Sequence, residues 1–122
     1  MGSMNIEYVA FGTNGGFIPT TTTKYIYPDG KVCQETKILY GNSTQSVNYK
    51  IDVSIVNKLY QMFTDDICSQ TYNVPASYCR FIEIKKNGVV YEWVFTKSPT
   101  FLENINDELQ NIAKMIFFEG SI

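Results

Sequence analysis

Glu83 and Glu92 are the acidic pair whose spacing could support chemistry. They lie on either side of an Asn87-Gly88 turn, which places them opposite each other across a β-hairpin. Opposed carboxylates can bind a cation or share a proton in acid–base chemistry. The alternative is two solvated glutamates with Lys85 or another base nearby. We favour that alternative, because no third acid is obviously placed beside them.

The chain contains no histidine. Histidine is the commonest general base near neutral pH, so its absence argues against Ser-His and Cys-His catalytic pairs and against most catalytic zinc sites. The Asp65-Asp66 pair lacks the spaced oxygen ligands of a calcium loop and is better explained as a helix end. We therefore predict no catalytic residues, no metal and no cofactor, in a protein that is not an enzyme.

The three cysteines, Cys33, Cys68 and Cys79, form no C-x-x-C motif, so a zinc or redox site is not indicated. They are either three reduced thiols, which we favour, or one Cys68–Cys79 disulfide with Cys33 outside it.

A glycine-rich loop begins at Gly12, after the first apolar run. A phosphate-binding loop would lead into a helix, whereas Pro19 and four threonines predict a strand. Two interpretations remain: a hairpin connection with Phe17 in the core, or a protruding loop that presents apolar anchors to a partner protein. The candidate partner-binding residues are Asn14, Gly15, Gly16, Phe17 and Ile18.

Composition predicts one globular domain. The 122 residues are 44% hydrophobic, which is enough for one substantial core. The net charge of −2 comes without a basic block, so we expect no nucleic-acid partner. No apolar run approaches the roughly 18 residues needed for a membrane span. We assign the domain to 5–122 and treat 1–4 as a cloning remnant; a lipid anchor on a removed N-terminus is compatible with this.

Alternation and turn residues predict the strands. We place them at 5–11, 20–27, 32–40 and 46–51, then at 78–86 and 89–96. Asp29-Gly30 as a two-residue loop places Lys24 opposite Glu35. Across Asn87-Gly88, the same rule pairs Ile82 with Trp93 and Ile84 with Tyr91. Trp93, Tyr91 and Phe95 then belong to the core or line a ligand cleft, and we favour the core.

Helical periodicity predicts two helices. The first spans 53–64, is capped by Asp52 or Ser54 and stops at Asp65. The second begins at Ser98-Pro99 and runs to about 117. Its apolar stripe consists of Leu102, Ile105, Leu109, Ile112 and Ile116. The predicted fold is α+β: an antiparallel five- to six-stranded sheet in the order β-β-β-α-β-β-α, with two helices packed on one face.

The chain resembles a family of small bacterial domains, many of them exported as lipoproteins. The residues that carry the resemblance are Phe11-Gly12-Thr13-Asn14-Gly15-Gly16-Phe17, the Asp29-Gly30 turn, Phe81-Ile82-Glu83-Ile84, and Val89, Tyr91 and Trp93. Ile18-Pro19 stands where that pattern has a small residue and a glycine. The resemblance implies an exported, non-enzymatic domain.

The expected function is therefore protein binding. We expect an inhibitor or immunity-type protein that engages an unknown partner, such as an enzyme or toxin, through the glycine-rich loop. The alternative is a module that binds a small molecule or a cell-envelope ligand on an aromatic sheet face. The expected location is the periplasm or cell envelope, with the cytoplasm as the alternative.

Overall fold

The computed structural model describes residues 5–15, 20–38, 41, 43–45 and 49–120, with 43–45 and 117–120 described by their backbone alone. The described residues form an α+β domain built on one antiparallel sheet, as predicted. The strands are β1 Ile6–Gly15, β2 Thr20–Ile26, β3 Lys31–Ile38, β4 Ser43–Gln45, β5 Tyr49–Lys50, β6 Tyr78–Lys86 and β7 Val89–Phe95. The helices are α1 Val53–Gln61, α2 Asp65–Cys68 and α3 Glu103–Gly120, the last preceded by a 3₁₀ turn at Thr100–Leu102.

Strand β1 lies inside the sheet. Six strands follow one another across it in the order β4-β3-β2-β1-β6-β7, and β5 pairs with β3 beside β4. The predicted extended segment at 46–51 is thus represented by the short strand β5, while 46–48 fall outside the described residues. Ser43 and Thr44, which lie between the predicted strands 32–40 and 46–51, already pair with β3.

Strand β1 is longer than predicted. It does not end before Gly12 but continues to Gly15, pairing with β2 on one side and with β6 on the other. Glycine permits this at position 12, because a Cβ there would overlap the backbone carbonyl oxygen of Thr22. The first glycine of the loop motif is therefore part of the sheet.

The β2–β3 register differs by one residue from the prediction. Lys24 lies opposite Gln34, and Glu35 lies opposite Thr23. The predicted Lys24–Glu35 pair is therefore wrong. Residues directly opposite each other lie on the same face of a sheet, and consecutive residues along a strand alternate between the two faces. Lys24 is two residues from the buried Ile26 and so points to the face of the sheet that carries the helices, whereas Glu35 lies on the other face.

The β6–β7 hairpin has the predicted register. Ile82 lies opposite Trp93, Ile84 opposite Tyr91 and Glu83 opposite Glu92. Trp93 and Phe95 are each only 1% exposed, so they belong to the core, as favoured from the sequence. The Trp93 indole N–H donates to the Gln70 carbonyl oxygen at 2.8 Å, which satisfies its polar atom.

The first predicted helix is shorter than expected, and a second short helix that was not predicted follows it. Helix α1 ends at Gln61, three residues early, and its N-terminus is capped by the Asp52 carboxylate, which accepts from the Ser54 N–H. The Thr64 hydroxyl then accepts from the Ile67 N–H and begins α2. Asp65 and Asp66 therefore occupy a first helical turn, where acidic side chains are favourable, and do not terminate α1.

Helix α3 buries its predicted stripe. Residues 102, 105, 109, 112 and 116 are all at most 4% exposed and pack with α1 and the inward side chains of the sheet in one core. Among the described helices, none has both the length and the apolar character required to cross a bilayer.

Candidate functional site

The base of the β1–β2 hairpin is tightly constrained. Asn14 lies opposite Thr21 and Gly15 opposite Thr20, while Cys79 and Tyr78 of β6 flank them on the other side. The Thr21 hydroxyl donates to Asn14 Oδ1 at 2.8 Å. The Asn14 side chain is exposed on this rigid base.

Gly15 has a structural reason to be glycine. Its φ of 112° is unfavourable for other residues, and a Cβ would overlap the Ser77 carbonyl oxygen. Of the five predicted partner-binding residues, the structure thus places Asn14 and Gly15 at the end of β1. Gly16, Phe17 and Ile18 lie outside the described residues.

The Glu83–Glu92 pair exists, and its two carboxylates have different surroundings. Glu83 is half-buried, and the Tyr8 hydroxyl donates to its Oε2 at 2.6 Å. Glu92 is exposed, yet partial burial and the charge of Glu83 raise its pKa above the ordinary value. Lys85 does not serve this pair, because its Nζ lies 3.7 Å from Glu7 Oε1.

A tyrosine cluster surrounds Glu83 on the face of the sheet opposite the helices. The rings of Tyr8 and Tyr25 meet edge to face with centroids 5.7 Å apart, and Tyr25 stacks on Tyr27 at 6.4 Å. Burial, followed by the hydrogen bond to Glu83, raises the pKa of Tyr8. The Tyr8 hydrogen bond holds the Glu83 carboxylate in place beside this cluster.

The remaining acidic and sulfur side chains do not converge. The described residues include no group of three or more potential metal-ligating acids and cysteines. Asp65 lies 3.3 Å from the Lys86 Nζ. Cys68 and Cys79 are not joined in a disulfide.

A shallow depression runs along β7 at the edge of the sheet. It has a volume of about 200 Å³, and its lining includes Cys68, Gln70, Tyr91 and Trp93. Tyr91 stacks against Trp93, with ring centroids 6.5 Å apart. Of the three aromatic residues considered for a ligand cleft, the half-buried Tyr91 and the buried Trp93 line this depression. Phe95 is buried in the core.

A polar cleft between the sheet and α3 was not predicted from the sequence. Its volume is about 110 Å³, and its polar side chains are Thr13, Thr22, Lys24, Arg80, Asn106 and Gln110. Two signals could have revealed it: Arg80 alternates in phase with Ile82 and Ile84, and Asn106 and Gln110 are four residues apart on α3.

Comparison with known proteins adds no assignment. No protein-family model matches the sequence, and a search of curated proteins also found no match. The resemblance to exported bacterial domains therefore stays a prediction.

Proposed function

We propose that this is a non-enzymatic protein-binding domain, of the inhibitor or immunity type, that engages its partner through the tip of the β1–β2 hairpin. The observation that carries the proposal is that the base of this hairpin is paired with neighbouring strands on both sides. Asn14 and Gly15 pair with strands on both sides, up to the last residue before the tip. A recognition loop on a rigid base loses less conformational entropy on binding than a loosely attached one.

The sequence of the tip supports the same proposal. Four residues separate Gly15 from Thr20, and two of them, Phe17 and Ile18, are large and apolar. Large apolar side chains at the centre of an interface commonly contribute most of its binding energy. A short connection between two held strand ends would present them with little change in the backbone.

The engagement of Glu83 supports a non-enzymatic role. Glu83 accepts a 2.6 Å hydrogen bond from Tyr8 within a tyrosine cluster, a structural contact that holds the carboxylate in place. The proposal also places the domain in the periplasm or cell envelope, in line with the resemblance described above.

A pull-down tests the proposal. The tagged protein serves as bait against separate envelope and cytosolic extracts, beside a Phe17→Gly/Ile18→Ser variant. The matched control is Val89→Ser/Val90→Ser, which removes two apolar side chains, 50% and 54% exposed, from the other hairpin. We expect one stoichiometric partner from the envelope extract that the parent and control retain and the loop variant loses.

The recovered partner must also be affected by the domain. If it is an enzyme or toxin, adding the purified domain should suppress its activity, and the loop variant should not. Equal recovery by parent and loop variant would contradict the role of the hairpin tip. Recovery from the cytosol alone would contradict the proposed location.

The depression beside Tyr91 favours a second candidate, a small-ligand-binding module. Trp93 is the only tryptophan, so its fluorescence reports on this region alone. Titration with cell-wall saccharide fragments should change that fluorescence, and Phe17→Gly should not affect the binding. An unchanged spectrum would count against this candidate and leave the protein-binding proposal untouched.

A further inference from the structure

We propose that the cleft between the sheet and α3 binds a small oxyanion, either a carboxylate or a phosphate, through Lys24 and Arg80. The residues that line this cleft are not among the candidate partner-binding residues, and the proposal does not depend on the proposed protein partner.

The two cations in the cleft lack acidic partners among the described residues. The described ion pairs are Lys58 with Glu108, Lys85 with Glu7, and Lys86 with Asp65. Neither Lys24 nor Arg80 takes part in them. The contact described for the Lys24 ammonium is the Phe11 ring, with Nζ 6.0 Å from its centroid.

Burial makes this arrangement costly for an empty cleft. Lys24 is half-buried, and the loss of water around its ammonium lowers its pKa. A partly buried charge without a partner is unfavourable, and a bound anion would offset part of that penalty. Arg80 adds a planar guanidinium, which can donate two parallel hydrogen bonds to one oxyanion.

The other polar side chains of the cleft are neutral and able to donate. Thr13 and Thr22 contribute hydroxyls from the sheet, and Asn106 and Gln110 contribute carboxamides from α3. The positions on α3 that line the cleft, 106, 110 and 113, carry no acid. The lining therefore offers positive charge and hydrogen-bond donors without a carboxylate that would repel an anion.

The volume limits the size of the ligand. The cleft of about 110 Å³ opens to solvent and has room for a phosphate or a carboxylate group beside the two cations. The ligand is a small anion, or the anionic end of a molecule that extends into solvent.

Titration by ¹H–¹⁵N NMR tests the site. Sodium phosphate and sodium acetate are added in separate experiments to the full-length protein, and sodium chloride keeps the ionic strength constant. We expect saturable shifts at the amides of Thr13, Thr22, Asn106 and Gln110, with a dissociation constant on the order of millimolar. Stronger binding of phosphate identifies a phosphate site, and stronger binding of acetate identifies a carboxylate site.

Charge-removing variants identify the cations involved. Lys24→Gln and Arg80→Gln should each weaken binding about tenfold, the equivalent of about 1.4 kcal/mol. The control is Lys37→Gln, an exposed lysine on the opposite face of the sheet, which should bind as the parent does. Circular dichroism and thermal unfolding verify the fold of each variant.

Two results would overturn the proposal. One is the absence of saturable shifts with either anion in the parent protein, which does not depend on any variant folding. The other is a set of shifts that persists with equal affinity in Lys24→Gln and Arg80→Gln.

Discussion

Asp29-Gly30 and Asn87-Gly88 lie in the two tight hairpins of the sheet, and the hairpins use different numbers of loop residues. In β6–β7, Lys86 pairs with Val89 across two residues with positive φ, Asn87 at 53° and Gly88 at 78°. In β2–β3, the Tyr27 N–H donates to the Lys31 carbonyl oxygen across three residues, of which Gly30 alone has positive φ, at 93°.

The difference follows from Pro28. In a two-residue hairpin the residue before the loop donates its N–H to the residue after it, and proline has none to donate. Tyr27 therefore becomes the last paired residue. Pro28 takes the second position of a turn closed by a Gly30 N–H to Tyr27 carbonyl bond of 2.9 Å. The turn dipeptide alone does not set the register of a hairpin, because the residues on either side of it must also be able to form the hydrogen bonds between the strands.

The hairpins also differ in their surroundings. Gly30 accepts a 2.9 Å bond from the Ile51 N–H, and a Cβ on Gly30 would overlap the Ile51 carbonyl oxygen. A Cβ on Gly88 would have no atom within 4 Å. The first turn is packed against the chain that leads into α1, while the second turn projects into open space.

Gly30→Ala should show the largest effect. We expect a loss of roughly 3 kcal/mol or more in the free energy of unfolding, because positive φ and backbone overlap act together. Urea denaturation measures the loss. A cost no greater than that of Gly88→Ala would show that packing against Ile51 contributes nothing.

Tyr60→Phe should show the next largest effect. The buried Tyr60 hydroxyl donates to the Ile26 carbonyl oxygen at 2.8 Å, next to the first turn. Its loss leaves a buried acceptor without this donor and should cost about 2 kcal/mol in urea denaturation. Tyr72→Phe is the control, since Tyr72 packs its ring edge to face with Phe101, and a similar loss there would refute the role of the hydroxyl.

Gly88→Ala should cost about 1 kcal/mol. Only the left-handed backbone conformation opposes the change, since no neighbouring atom is displaced. The measurement is again urea denaturation, with Gly30→Ala measured in parallel. A loss comparable to that expected for Gly30→Ala would mean that the open hairpin has a tertiary constraint of its own.

Glu92→Gln should have the smallest effect, and a pH-dependent one. The raised pKa of Glu92 means that the folded state binds more protons than the unfolded state between the two pKa values. The free energy of unfolding therefore falls as the pH rises through that window. Glu92→Gln should stabilise the protein by roughly 0.3 kcal/mol at neutral pH and have no effect below both values.

The control for Glu92→Gln is Glu103→Gln. That change removes an exposed acid from the first turn of α3, where a negative charge is favourable, so it should destabilise slightly at neutral pH. Thermal unfolding at several pH values measures both variants. A pH-independent gain for Glu92→Gln would rule out charge repulsion as its cause.

Much of the fold could be predicted because its signals were local. The stripe from Leu102 to Ile116 and the alternation around Asn87-Gly88 each specify an element and its buried face. The β2–β3 register failed although its signal was also local, since the missing N–H of Pro28 can be read from the sequence. The short helix α2 was missed because Thr64 was not considered as a cap.

The candidate sites were less predictable. The opposed glutamates followed from one hairpin register, but the Tyr8 hydroxyl that engages Glu83 comes from a strand 75 residues away. The cleft required β1, β2, β6 and α3 to be placed together. Lys24 and Arg80 are far apart in the sequence, and no periodicity joins them.

The sequence by itself determined the class of the fold, the buried stripe of α3 and the β6–β7 register, because each depends on the spacing of side chains within one element or one turn. Only the tertiary structure decided that Gly12 and Gly15 are required by neighbouring backbone. It also decided that Lys24 and Arg80 share a cleft against α3. Such contacts depend on the positions of several strands and a helix in space, which local spacing does not specify.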